Sequence, residues 1–344
     1  MTNIRSIAIA LALLLVPAVA AAIAPPTPLF ASEEPVSLTL SGPIPAVSRG
    51  ERGARDAVLT LRSPAAETHA VRLSPRGLTR LKRDVCQFAP MRVEFVQPPP
   101  PGSLFEGQRR LKLVTHCRSA ESFQQHVLLE YAAYKLYNQL TPASYRARLA
   151  NIDYVDENGR PVVSRLGFFI EDIDDVAARN GMGKPSVGQR IATGRLSAAD
   201  AARVALFQYM IGNLDWSTRA GPPGDRCCHN ARLIGASSGP LIPVPYDFDF
   251  SGLVSAPYAV PPDIIPVRNV RVRHYGGYCL HNPAVPTVAA QFAARRSHLL
   301  GTFSQIPHLD ERTRARAAAY IDDFFADIAD PRTIERKLLR TCIE

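Results

Sequence analysis

The sequence predicts an α+β protein in two lobes, a β-rich N-terminal lobe with one helix (residues 35–170) and a mostly helical C-terminal lobe (residues 171–344). Short segments of alternating apolar residues dominate the first region, and the breaks between them contain Gly or Pro, which indicates strands. Only one long stretch of that region has helical periodicity. In the second region most apolar residues have helical spacing. An acidic segment at residues 171–175 marks the boundary between the lobes.

Residues 1–22 are typical of a secretory signal peptide, and residues 23–34 are interpreted as a linker. Arg5 precedes an apolar run at residues 7–16, and small residues that fit an Ala-x-Ala cleavage site follow that run. An uncleaved membrane anchor is the alternative, although the apolar run is short for a membrane span. We therefore expect a secreted or periplasmic protein.

The basic residues of the chain are scattered rather than gathered in one run, although the formal net charge is +9. A scattered excess of positive charge is usually a solvated surface, so the composition does not favour a nucleic-acid partner. No other stretch is apolar enough to cross a bilayer. We therefore expect no membrane span once the signal peptide has been removed.

Six cysteines occur in the chain, and an even number of cysteines in an exported protein predicts disulfide bonds. The sequence does not determine how they pair. Zinc is the alternative because His229, His274 and His281 lie near cysteines, but the chain has no C-x-x-C pair, so disulfides are favoured. The cysteines are Cys86, Cys117, Cys227, Cys228, Cys279 and Cys342.

One strand and one helix of the N-terminal lobe carry charged residues among apolar neighbours. The strand at residues 111–114 contains Lys112, and a long helix, capped by Ser119 and ending before Pro142, contains Glu130. Glu130 falls on the apolar face of the helix, where a carboxylate is costly unless it is paired. We therefore expect Lys112 to form an ion pair with Glu130.

Local turn signals define two further units. Asn158 and Gly159 lie between two apolar segments and predict a β-hairpin. Ser197, followed by Asp200, predicts the start of a helix, and Gly212 predicts its end. That helix leads directly into the first of two acidic motifs.

The two acidic motifs lie at the ends of residues 211–252, with an asparagine, Asn230, between them. The first is G-N-L-D-W, which contains Asp215, and the second is Y-D-F-D-F, which contains Asp247 and Asp249. Phosphoryl transfer requires one carboxylate that orients the acceptor hydroxyl, and an amide and a second carboxylate that hold the metal of the nucleotide. The motifs and the asparagine therefore predict a phosphoryl-transfer site.

The order of these features resembles the atypical kinase family of the spore-coat kinase CotH, and more distantly the HipA-like and phosphoinositide-kinase-like families. The features are a strand lysine, a helix glutamate, a hairpin that ends near Glu171, the G-N-L-D motif and the Y-D-F-D motif, and they span about residues 75–255. The resemblance implies a bilobal protein-kinase-like fold. It also implies transfer of a phosphoryl group from ATP, with Mg²⁺ or Mn²⁺, to a hydroxyl group of a protein.

The resemblance also implies three nucleotide-binding residues. Lys112 would hold the α- and β-phosphates, and Glu130 would fix that lysine. Glu171, at the connection between the lobes, would face the nucleotide.

The remaining roles belong to the acidic motifs. By the same resemblance, Asp215 would be the catalytic acid/base, and Asn230 and Asp247 would be metal ligands, with Asp249 as an additional one. Kinase catalytic loops place the asparagine five residues after the aspartate, whereas fifteen residues separate Asp215 from Asn230. Asp225 has the five-residue spacing and is the alternative catalytic residue.

Two other functions remain open at this point. The first is a catalytically inactive kinase-like module that binds or scaffolds components of the cell envelope. The second is a purely structural envelope protein held by disulfides, which would bind no nucleotide.

Overall fold

The structure is a computed structural model that describes residues 23–236 and 238–344. The signal peptide expected at residues 1–22 lies outside the described residues. The strands are β1 Val36–Ser41, β2 Arg55–Ser63, β3 Glu67–Pro75, β4 Met91–Phe95, β5 Arg110–Val114, β6 Ala147–Val155, β7 Pro161–Ile170, β8 Ala231–Ile234 and β9 Ile242–Pro245. The helices are α1 Ile44–Ser48, α2 Ser122–Asn138, α3 Ile173–Arg179, α4 Ala198–Ile211, α5 Val285–Ala294, α6 Arg296–Gln305, α7 Glu311–Asp327 and α8 Pro331–Lys337.

Strands β1 to β7 form a closed barrel in the spatial order β1-β2-β3-β4-β5-β7-β6. Neighbouring strands are antiparallel except at the closure, where β1 and β6 pair in parallel. In that pair Val36 lies opposite Ala150, and Leu40 lies opposite Tyr154. The remaining strands, β8 and β9, form a separate antiparallel hairpin among the helices.

The closed barrel shows that the predicted bilobal protein-kinase-like fold is wrong. Seven strands of mixed direction close on themselves, and a barrel-like β-rich domain of this kind is not the N-lobe of a bilobal kinase. The prediction failed because the closure depends on pairing between strands that are distant in sequence. Alternation of apolar residues specifies which face of a strand is buried, but it does not specify the neighbouring strand.

Apolar side chains fill the interior of the barrel. In β1 the buried residues alternate with partly exposed ones, so that Val36, Leu38 and Leu40 point inward. Phe105 and Phe169 belong to the same buried cluster. The barrel interior is therefore a packed core, and it stabilises the scaffold on which the neighbouring loops are held.

A second core lies between the barrel and the helices. The rings of Tyr134 on α2 and Phe207 on α4 both contact Phe248, with centroid distances of 4.7 Å and 5.4 Å. Phe248 follows β9 and is fully buried. Because three elements meet at this ring, the segment after β9 is fixed relative to α2 and α4.

Two of the predicted local units are confirmed. Strands β6 and β7 form the hairpin, and the main-chain N–H groups of Asn158 and Arg160 donate to Oδ1 of Asp156. Helix α4 ends at Gly212, whose φ of +64° is left-handed. A Cβ at Gly212 would lie 2.1 Å from the hydroxyl oxygen of Tyr320, so the close packing there also requires glycine.

The predicted disulfides are confirmed, and all six cysteines take part. Bonds of this kind persist in oxidising compartments, so they fit a protein that acts outside the reducing cytosol. The pairs are Cys86–Cys117, Cys227–Cys228 and Cys279–Cys342. None of the helices in the described residues combines the length and the apolar character that a membrane crossing requires.

Candidate functional site

A cavity of about 280 Å³ lies between the segment that follows β3 and the loops beside α4, β8 and β9. Five of the predicted site residues line it: Asp215, Asp225, Asn230, Asp247 and Asp249. Lys112, Glu130 and Glu171 are not part of its lining. The structure therefore brings the two acidic motifs together in the lining of one cavity, whereas the three nucleotide-binding candidates lie outside that lining.

Two side chains from a returning loop hold Asp215. His229 Nε2 lies 2.6 Å from Oδ1 of Asp215. Asn230 Nδ2 donates to Oδ2 of Asp215 at 3.0 Å and to its main-chain oxygen at 2.7 Å. The main chains of Ser217 and His229 donate to each other at 3.0 Å, so the loop doubles back and spans the fifteen-residue gap.

Asp215 is both fixed and accessible. Its main-chain N–H donates to Oδ1 of Asn213, and 32% of its side chain is exposed. The hydrogen bond with Asp215 raises the pKa of His229, which favours the charged form of the imidazole. Asp225 lies in the same lining, but the side chains of His229 and Asn230 bond to Asp215.

A cluster of three carboxylates lies beside the cavity. One oxygen from each of Glu130, Asp247 and Asp249 lies within 4.8 Å of the others. Burial raises the pKa of Asp249 to about 6, with a further contribution from the Asp247 carboxylate. Burial, and then the charge of Asp249, raise the pKa of Glu130 well above its usual range. Such repulsion is relieved by a bound cation.

The partner of Glu130 is Arg80 and not Lys112, so the expected Lys112–Glu130 ion pair is wrong. Nη1 of Arg80 lies 3.6 Å from Oε2 of Glu130 and 3.7 Å from Oδ2 of Asp249, and Nη2 donates to the main-chain oxygen of Thr115 at 2.7 Å. All three charged side chains are buried. The planar guanidinium has donors for several acceptors at once, which a lysine ammonium cannot match in this geometry.

Lys112 lies against aromatic rings. Its Nζ is 4.7 Å from the ring centroid of Tyr246, which lines the cavity, and 5.5 Å from that of Tyr145. Burial, together with the positive charge of Arg76, lowers the pKa of Lys112 to about 8. The guanidinium of Arg232 also contacts the ring of Tyr246, at 5.3 Å. Two cations therefore meet at one ring next to Asp247.

Glu171 does not line the cavity. Its carboxylate accepts two hydrogen bonds from Arg179, both at 2.9 Å, and one from the main-chain N–H of Arg146 at 2.9 Å. The side chain is fully buried. Both oxygens are occupied by the protein, and Glu171 therefore has a structural role at the end of β7.

A disulfide between adjacent residues, Cys227 and Cys228, lies directly before the residues that hold Asp215. Cys228 lines the cavity, and its main-chain oxygen accepts a hydrogen bond from Arg232 at 3.0 Å. The main-chain N–H of Cys227 donates to Gly188. These contacts fix the chain immediately before His229 and Asn230.

Four arginines of the site were missed by sequence reasoning. Arg76, Arg80, Arg226 and Arg232 lie in segments whose basic residues read as part of a scattered, solvated surface. A local signal for Arg80 is absent, since its partners Glu130 and Asp249 come from α2 and from the segment after β9. His229 was recognised as a neighbour of cysteines and of Asn230, but not as a partner of Asp215.

Comparison with known proteins gives no family for this chain. No family model matches the sequence, and a search of curated proteins found no significant match.

Proposed function

We propose that this cavity transfers a phosphoryl group from a metal-bound nucleoside triphosphate, most simply ATP, to a hydroxyl group of a protein. The proposal rests on three features that lie together in one small region of the molecule. They are an accessible aspartate held by histidine and asparagine, a buried carboxylate cluster, and several cations without acidic partners.

The carboxylate cluster fits Mg²⁺ or Mn²⁺. Both ions prefer oxygen ligands, and Glu130, Asp247 and Asp249 offer one oxygen each within 4.8 Å. Oε1 of Glu130 is buried and has no hydrogen-bond partner among the described residues. When bound, the ion would offset the negative charge of the transferred phosphoryl group. Asn230 lies in the lining of the same cavity and is a further candidate ligand.

The cations of the site fit the phosphates of the donor. Arg76, Arg226 and Arg232 line the cavity, and none of them forms an ion pair with a described residue. Lys112 reaches the same region through its contact with Tyr246. Unpaired cations are costly next to one another, and a triphosphate would compensate their charge.

Asp215 is the residue in this proposal that orients the acceptor hydroxyl and receives its proton. His229 and Asn230 hold its carboxylate in one position, and its exposed fraction leaves it open to the acceptor. Fixed orientation of this kind is what makes a general base effective. The disulfides support action outside the cytosol, and we propose a secreted or periplasmic location.

The experiment incubates the purified oxidised protein with γ-labelled ATP, Mg²⁺ or Mn²⁺ and a mixture of exported proteins. We expect label transfer by the wild type, loss of transfer in Asp215→Ala, and loss of metal-dependent ATP binding in Asp247→Ala. Asp263→Asn, at an exposed residue, is the matched control.

Thermal shift with ATP and metal separates the remaining functions, because a ligand of the native state raises stability by mass action. Binding without transfer would support an inactive binding or scaffolding module of the cell envelope. Absence of both binding and transfer would support a purely structural protein and overturn the proposal.

A further inference from the structure

Arg80 lies between two buried acidic side chains, where its charge contacts both of them. Its Nη1 lies 3.6 Å from Glu130 and 3.7 Å from Asp249. The residue exposures are 8% for Arg80, 2% for Glu130 and 4% for Asp249. A guanidinium in this position is a permanent positive charge, and unlike a metal ion it cannot leave the site.

The oxygens of Glu130 and Asp249 differ in whether another side chain already contacts them. Oδ2 of Asp249 accepts a hydrogen bond from the hydroxyl of Tyr258 at 3.0 Å. Oδ2 of Asp249 and Oε2 of Glu130 both face Arg80. Oε1 of Glu130 is buried and unpartnered, and Oδ1 of Asp249 accepts no hydrogen bond from a described residue. Asp247 offers a further oxygen, since one oxygen from each of the three carboxylates lies within 4.8 Å of the others. Glu130 Oε1 and Asp249 Oδ1 are therefore available to a cation.

We infer that Arg80 replaces one of two metal ions, so that the cluster binds a single divalent cation on the side of Glu130 Oε1, Asp247 and Asp249. The charges support this count, because one guanidinium and one divalent ion neutralise three carboxylates. A second divalent ion beside Arg80 would leave the buried cluster with excess positive charge, which is costly in a low-dielectric environment. The inference deepens the proposed function and rests on its metal site.

The experiment counts bound Mn²⁺ by titration calorimetry and by electron paramagnetic resonance, with the oxidised full-length protein and without nucleotide. We expect one ion in the wild type and two in Arg80→Met, because the side chain that fills the second position is gone. Two ions in the wild type, or none, would overturn the inference without any variant.

A second variant covers the case in which Arg80→Met does not fold. Arg80→Gln keeps a donor for the main-chain oxygen of Thr115 and removes the charge, so we expect two ions there as well. One ion in a folded Arg80 variant, bound with wild-type affinity, would show that the arginine does not fill a cation position.

The matched control is Arg179→Met. Arg179 pairs with Glu171 in an equally buried salt bridge, but among the described residues Glu171 belongs to no group of three ligand atoms close enough to hold a metal ion. We expect one ion in this variant. A second ion there would mean that loss of any buried arginine creates a metal site.

These results are distinguishable from a failure of the proposed function. One bound Mn²⁺ in the wild type without any phosphoryl transfer would overturn the proposed function and leave the inference about Arg80 in place. Phosphoryl transfer by a wild type that binds two ions would support the proposed function and overturn the inference.

Discussion

His229 lies 2.6 Å from Asp215, through Nε2 and Oδ1, although fourteen positions separate the two residues in the chain. The loop between them doubles back at Ser217 and ends at the Cys227–Cys228 disulfide. His229 is thereby placed to hold the carboxylate that we assign to the acceptor hydroxyl.

The first prediction concerns His229 as a positioning residue. His229→Ala should lower kcat about 10- to 100-fold, which is the usual loss when a group that orients a metal-binding side chain is removed, and we expect the same scale for Asp215. The KM for ATP should be unchanged. His229→Gln should recover part of the loss, because its amide can donate to Asp215. Steady-state kinetics measure both constants, with the exposed His298→Ala as control. A higher KM at unchanged kcat would contradict a positioning role.

The second prediction concerns Lys112. Lys112→Met should raise the Kd for ATP about tenfold, or about 1.4 kcal/mol, because a cation next to the phosphates is lost. Folding stability should not fall, since burial disfavours the charged form of Lys112 and lowers its pKa to about 8. Calorimetry and urea unfolding give the two values.

Lys337→Met, on α8, is the control for Lys112. Lys337 is half exposed, with its Nζ 3.6 Å from Asp327, so its loss should change neither value. An unchanged Kd for ATP in Lys112→Met would show that Lys112 does not contribute to the proposed phosphate site.

The third prediction concerns Glu171. Glu171→Gln should destabilise the protein by about 3 to 5 kcal/mol, because it leaves Arg179 buried without a counter-charge. ATP binding per folded molecule should be unchanged, since Glu171 does not line the cavity. Urea unfolding and calorimetry of the folded variant measure these effects. A loss of ATP binding without a loss of stability would show that Glu171 belongs to the nucleotide site.

The fourth prediction is a pH dependence at Asp175. Burial raises its pKa to about 6, with Glu171 and Asp172 contributing, whereas an unfolded aspartate has a pKa of about 3.9. The folded state therefore holds this proton more tightly, and the stability that the proton confers is lost as the pH rises from about 4 through about 6.

Asp175→Asn removes this dependence. The shift corresponds to about 3 kcal/mol at most, and solvent around this half-buried group reduces the effect to about 1 kcal/mol. The variant should match the wild type in stability at pH 4 and exceed it at pH 7, as measured by urea unfolding at both pH values. Equal stabilities at pH 7 would show that Asp175 titrates normally.

The fifth prediction contrasts two disulfides. Replacing Cys279 and Cys342 by Ser should cost about 4 kcal/mol, because that bond closes a long loop, with a sequence separation of 63. Replacing Cys227 and Cys228 should change global stability little, since adjacent residues enclose almost no chain. It should lower phosphoryl transfer by releasing His229 and Asn230. Thermal unfolding and label incorporation test the two effects, and the reverse pattern would contradict them.

Local signals in the sequence were sufficient for several elements. Asn158 and Gly159 predicted the β6–β7 hairpin, and Gly212 predicted the end of α4, because a turn type and a left-handed residue are properties of a few adjacent residues. The second acidic motif was also visible, since Asp247 and Asp249 lie among aromatic residues that indicate burial.

Partners from distant elements were not predictable. Glu130 was correctly recognised as a buried carboxylate that needs a partner, but the nearest plausible cation in the sequence pattern was Lys112. The actual partner, Arg80, lies in the segment between β3 and β4. The choice between two cations depends on where whole elements pack, and no local pattern carries that information.

The sequence by itself determined the hairpin, the end of α4, the presence of disulfides and the residues Asp215, Asn230, Asp247 and Asp249 as one candidate set. Only the tertiary structure decided that the strands close into a barrel, that Arg80 pairs with Glu130, and that Glu171 is occupied by Arg179. The reason is physical: turns and buried faces follow from neighbouring residues, whereas strand closure and ion pairing depend on contacts between segments that only the folded chain brings together.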